Sequence, residues 1–150
     1  MENPEPIRVM PGDPVIQLPI TNLKGNSLTL EDVANNTFCV FLSTACPTCQ
    51  DALSNILAGY LKQHHVVLIF RDGIQAVTKF LESYPEATAL EIYVTKPSAL
   101  ERYNITNFPA LLSYHEGHLA IGFHGPLDQN NTQTVLSYYA RHLRSHPGGK

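Results

Sequence analysis

The chain has 150 residues, 43% of them hydrophobic and 15% charged, with a formal net charge of −3. That length suits one domain able to bury its own core. The slightly acidic balance, with no dense Lys/Arg cluster, excludes nucleic acid as the main partner. Three cysteines are too few for a disulfide scaffold or a four-thiolate zinc site.

No apolar run is long enough to span a membrane. Met1–Pro6 (MENPEP) is acidic and Pro-rich, so no export signal is expected within the chain itself. Residues 1–14 carry four prolines and predict an extended arm. Residues 15–145 predict the folded domain, and 146–150 (HPGGK) a frayed tail.

Val15–Leu18 reads as a short edge strand bracketed by Pro14 and Pro19. A turn follows at Asn22–Asn26 around Gly25, then Leu28 and Leu30 pointing the same way, then one helical turn at Glu31–Ala34. These pieces predict a small hairpin ahead of the main sheet. Thr37–Ser43 is β-prone and nearly all apolar, the pattern of a strand buried on both faces. Cys39 within it is expected to be a buried core residue.

The strand stops at Ser43-Thr44-Ala45, and Cys46-Pro47-Thr48-Cys49 follows. Leu53, Ile56, Leu57, Tyr60 and Leu61 then mark one face of a helix, with Pro47 in its first turn and His64-His65 at its end. A strand delivering C-x-x-C to a helix N-terminus is an arrangement suited to thiol–disulfide chemistry. Unpaired N–H groups and the helix dipole there favour a thiolate at Cys46.

Val66–Phe70 predicts a second buried strand. Ile74, Val77, Phe80, Leu81 and Tyr84 predict a helix stopped by Pro85. Leu90–Val94 predicts a third strand, and Pro97–Tyr103 a short helix. This β-α-β-α-β-α succession implies a mainly parallel sheet. Ala110–Tyr114 and Leu119–Phe123 form a hairpin around Gly117. A final helix, capped by Asn131 or Thr132, presents Val135, Leu136, Tyr139 and Leu143. His115 and His118 flank the hairpin turn without an evident third ligand, so no metal site is expected.

With these residues in order, the chain resembles the thioredoxin superfamily over roughly residues 12–144. The likeness rests on C-x-x-C between a buried strand and a helix, on Phe108-Pro109 just before a hairpin, and on Gly117 and Gly125. The N-terminal hairpin and the extra α-β unit over Ile74–Val94 resemble the TlpA/ResA-like branch of membrane-tethered thiol–disulfide oxidoreductases. The string S-T-A-C-P-T-C is also similar to thioredoxin-like proteins of methylamine dehydrogenase maturation. Ala45 stands where the family often has Trp, and Val40 and Ala52 stand where a buried acid is sought.

The resemblance implies an α/β thioredoxin-like fold: a central mixed sheet with helices on both faces, the N-terminal hairpin and the extra unit. It implies Cys46 as attacking and Cys49 as resolving thiol, with their disulfide the redox centre and no separate cofactor. Pro109 would be the cis-proline; Phe108, Ala45 and Thr44 would rim the substrate groove, and Pro47 and Thr48 would tune the thiols. Partners would be protein thiols or disulfides and an electron-exchanging protein, in the cell envelope, the cytoplasm being the alternative. With no charged or imidazole group inside the motif, the expected direction is reductase-leaning. Two other readings stand beside it. One is a thioredoxin-fold binding or assembly module handling Cu(I) or Zn through Cys46 and Cys49. The other is a peroxiredoxin-like peroxidase, for which Ser43 is correctly spaced but Cys39 replaces the required Pro.

Overall fold

A computed structural model describes residues 9–145; the tail at 146–150 and the first eight residues of the arm lie outside the described residues. Strands β1 (Pro19–Asn22), β2 (Ser27–Thr29), β3 (Thr37–Leu42), β4 (Val66–Phe70), β5 (Glu91–Val94), β6 (Ala110–His115) and β7 (His118–His124) form one sheet. Its order is β2-β1-β5-β4-β3-β6-β7. Strands β3, β4 and β5 run parallel, and β6, β7, β1 and β2 join antiparallel. The N-terminal hairpin is therefore part of the main sheet rather than a unit ahead of it, because β1 pairs with β5.

Strand β3 is buried at every position because both faces of the sheet are covered. Phe38, Val40 and Leu42 enter one apolar cluster, Cys39 and Phe41 the other. Helices α1 (Pro47–Leu57), α2 (Ile74–Leu81) and α4 (Gln129–Ser145) contribute Leu53, Val77 and Val135 to the first cluster. Helix α3 (Pro97–Glu101) contributes Leu100 to the second, which also holds Val15, Ile16 and Leu18.

Several local expectations are corrected. The first strand starts at Pro19, not Val15; Val15, Ile16 and Leu18 are buried ahead of it. The preceding arm is tied down too, since Gly12 N–H donates to the Leu119 carbonyl and Leu119 N–H to the Asp13 carbonyl, both at 2.7 Å. Helix α1 ends at Leu57 instead of running to His64-His65, because Gly59 turns left-handed at φ +103°. His64 instead lies against Phe38, ring centroids 4.5 Å apart. The His65 ring bridges Thr37 Oγ1 and Glu91 Oε1, each at 2.8 Å. Helix α4 starts at Gln129, so neither Asn131 nor Thr132 caps it. Asp128 Oδ1 accepts the Asn131 N–H at 2.8 Å instead.

Among the described residues, no helix is long and apolar enough to cross a membrane.

Candidate active site

The sheet register brings the site together. Residue Phe41 pairs with Ala110 across antiparallel β3 and β6. The chain leaving β3 toward Cys46 therefore meets the chain entering β6 through Phe108-Pro109. Parallel pairing of Leu42 with Phe70 brings Arg71 and Asp72 out beside Ser43 and Thr44. Three segments distant in sequence thus converge at one end of the sheet.

Cys46 is the N-cap of α1 and is half-buried. Its sulfur accepts the Cys49 N–H at 3.2 Å and lies 3.4 Å from the Thr48 hydroxyl. As a thiol it reaches the Phe108 carbonyl oxygen at 3.8 Å. Pro47 occupies the first helical turn, where its missing N–H costs nothing. Partial burial pushes the Cys46 pKa up, but hydrogen bonds from the Cys49 thiol, the Thr48 hydroxyl and the local amides outweigh it, and the net shift is downward.

Cys49, one turn later, is 1% exposed. Burial first, then its hydrogen bond to the Cys46 sulfur, pushes its pKa up to about 12; the charges of Cys46 and Asp72 act in the same direction. The Ser43 N–H, 3.4 Å from Cys49 Sγ, pulls the other way. Val40 and Ala52 are fully buried in the apolar cluster that surrounds Cys49, so neither position supplies an acid. Asp51 is exposed. The pair is therefore asymmetric: an accessible sulfur prepared to ionise above a buried one that is not.

The Phe108–Pro109 peptide bond is cis, Pro109 is buried and Phe108 half-buried. The Pro109 carbonyl accepts the Gly125 N–H at 2.9 Å, which ties the proline loop to the end of β7. Gly125 has φ +138°, and a Cβ there would lie 3.3 Å from the Phe123 ring. Gly117 and Glu116 have φ +80° and +51°, the two positive values a two-residue hairpin turn requires. Ala45 is exposed and Thr44 partly so, so both are accessible around Cys46.

Two residues near the site were not singled out from sequence. Arg71 lies over the Phe108 ring, 5.5 Å from its centroid, and Asp72 Oδ2 accepts the Thr44 N–H at 2.8 Å. Their one signal in the sequence was position: they end the strand parallel to the one that ends at Cys46.

Cys39 is fully buried, and burial drives its thiol pKa strongly upward. It faces the cluster opposite the one holding Cys49, so it takes no part in the site. Among the described residues, no group of three or more His, Cys, Asp or Glu could hold a metal. The Ser43 hydroxyl accepts from the Ala45 N–H at 3.4 Å, and the Ser43 amide points to Cys49 rather than Cys46.

No protein-family model matches the chain, and no curated protein matches it in sequence. Solved structures do match. A secreted Mycobacterium tuberculosis disulfide oxidoreductase homologous to E. coli DsbE superposes with a TM-score of 0.62 at 18% identity, covering 83% of this chain and 96% of that one. The fold is thioredoxin-like. A thio-disulfide isomerase from Thermus thermophilus superposes at 0.66 and 17% identity, covering 87% and 97%. A thiol peroxidase from Chromobacterium violaceum superposes at 0.67 and 10% identity, covering 91% of each. Within this thioredoxin-like frame, neighbours of differing chemistry share the backbone, so the backbone alone does not set the reaction.

Proposed function

We propose that this chain is a thiol–disulfide oxidoreductase of the TlpA/ResA-like kind, exchanging disulfides with protein partners through Cys46 and Cys49. The observation that carries this reading is the opposed environment of the two sulfurs. Cys46 accepts hydrogen bonds at a helix N-terminus, whereas Cys49 lies buried beneath it.

In the reductive direction, the Cys46 thiolate attacks one sulfur of a partner disulfide. A Cys46–partner disulfide forms and the partner's other sulfur leaves as a thiolate. Cys49 then loses its proton and attacks Cys46 Sγ. The Cys46–Cys49 disulfide forms, the second partner thiolate leaves, and two electrons have passed to the partner. The cysteine pair is the only redox group this requires; a second protein must reduce it again.

Phe108 and Pro109, with Ala45 and Thr44, form the docking rim. An extended partner segment would lie along the Phe108-Pro109 loop and pair with its backbone. Pro109 lacks an N–H and so offers no competing donor to the sulfurs. Pro47 and Thr48 tune Cys46, the first by starting the helix and the second through its hydroxyl. The lack of a charged or imidazole group between the cysteines supports a reductase-leaning potential, nearer about −270 mV than −120 mV. The branch likeness, and the secreted status of one structural neighbour, support work in the cell envelope.

The test is capture. Cys49→Ser should accumulate a covalent Cys46-linked partner that reductant releases, and Cys46→Ser should not. Absence of any Cys46 mixed disulfide with protein disulfides under these conditions would contradict the reading. The peroxidase alternative is weakened by the placement of Ser43, whose hydroxyl and amide both bond elsewhere than Cys46.

A further inference from the structure

Asp72 lies outside the motifs that define the site, yet it is tied into the loop that carries it. Two successive peptide groups of that loop are held at both ends. In the Leu42–Ser43 peptide, the carbonyl accepts the Arg71 N–H at 3.0 Å and the N–H donates to Cys49 Sγ at 3.4 Å. In the Ser43–Thr44 peptide, the carbonyl accepts the Cys46 N–H at 3.4 Å and the N–H donates to Asp72 Oδ2 at 2.8 Å. Asp72 makes the shortest of these four contacts and the one to a charged acceptor, the strong kind of hydrogen bond.

We propose that Asp72 is a positioning residue for the resolving cysteine: by holding the Thr44 N–H it keeps the Ser43 amide aimed at Cys49 Sγ while that sulfur is negatively charged. This rests on the exchange reading above. The step it serves is the attack of Cys49 on a Cys46 mixed disulfide, when the buried sulfur must carry charge with few polar groups around it. The Ser43 N–H is a donor already directed at that sulfur. Without the Asp72 anchor the Ser43–Thr44 peptide keeps only its carbonyl contact to the Cys46 N–H, and Ser43, whose own N–H lies in the preceding peptide held by Arg71, is fixed firmly from one side only.

The anchor and the charge of Asp72 act in opposite senses. Its negative charge disfavours a Cys49 thiolate, although burial and the Cys46 sulfur do so more. Asp72→Asn separates the two effects, because the amide oxygen still accepts the Thr44 N–H but carries no charge. Asp72→Ala removes both.

The experiment uses the reduced full chain mixed with glutathione disulfide, quenched in acid and read by mass. Attack by the Cys46 thiolate gives a Cys46–glutathione disulfide and one glutathione thiolate. Attack by Cys49 on Cys46 Sγ gives the Cys46–Cys49 disulfide and the second glutathione thiolate, so two electrons pass from the protein pair to glutathione disulfide. Asp72→Ala should leave the first step within about twofold and slow the second about tenfold, the effect of losing one hydrogen bond to an ionised sulfur. Asp72→Asn should resolve at least as fast as the wild-type chain. Asp72→Ala resolving as fast as Asp72→Asn, which shares its loss of charge, would overturn the proposal, and so would Asp72→Asn resolving more slowly than wild type. If Asp72→Ala does not fold, Asp72→Asn alone decides by the same criterion. A wild-type chain that forms neither disulfide would instead overturn the exchange reading, an outcome distinct from either.

Discussion

Cys46 Sγ and the Phe108 carbonyl oxygen, 62 residues apart in the chain, lie 3.8 Å from each other. Neither local sequence produces that approach. It follows from antiparallel pairing of β3 with β6 in the register Phe41 to Ala110. A partner segment docked on Phe108 would lie directly beside the Cys46 sulfur.

Thr48 is the simplest test of how Cys46 is prepared. Its hydroxyl is 3.4 Å from the Cys46 sulfur and is among the groups that lower the Cys46 pKa against the effect of burial. Thr48→Ala should raise the pH midpoint for alkylation of Cys46 and slow its reaction at neutral pH. An unchanged midpoint would remove Thr48 from the tuning set.

Gly125 tests the brace behind the proline loop. Its φ of +138° is a conformation that side chains avoid, and an added Cβ would meet the Phe123 ring at 3.3 Å. Gly125→Ala should destabilise the fold by about 1–3 kcal/mol, measured by the denaturant midpoint at constant slope. It should also slow reaction with protein disulfides more than with small ones, because its amide holds the Pro109 carbonyl. Equal slowing of both would show that the loop does not dock substrate.

His64 gives a pH signature. Burial against Phe38 lowers its pKa in the folded state from the ordinary 6.5. The unfolded chain therefore binds a proton at a higher pH than the native one. Stability should fall as pH drops from 6.5 toward the lower native value, and the His64 contribution levels off below it. In His64→Phe this part of the slope should vanish, and denaturation curves on either side of that window read it. An unchanged slope in the variant would assign the pH dependence elsewhere.

Much of this architecture was legible in the sequence where local pattern and tertiary burial agree. TFCVFL had to be a doubly covered strand, and Cys46-Pro47 had to open a helix, because hydrophobic run, turn and proline position all point one way. Legibility failed where one residue overrode a pattern. The apolar spacing of α1 continues through Tyr60 and Leu61, but Gly59 turns the chain out of the helix after Leu57. Pro14 and Pro19 bracket an apolar run that reads as a strand, yet the ladder begins at Pro19 itself. Asp72 stayed hidden for a different reason. Its partner Thr44 is 28 residues away, and only the register of β3 against β4 shows that they meet.

In the proposed exchange Cys46 and Cys49 act as one two-electron couple while Cys39 stays apart. A redox titration with thiol trapping and mass readout tests it most directly. One transition is expected, in which two trapped thiols disappear together into a Cys46–Cys49 disulfide, with Cys39 trapped only after unfolding. Two thiols at 46 and 49 that persist across the whole range, or disappear independently, would contradict it.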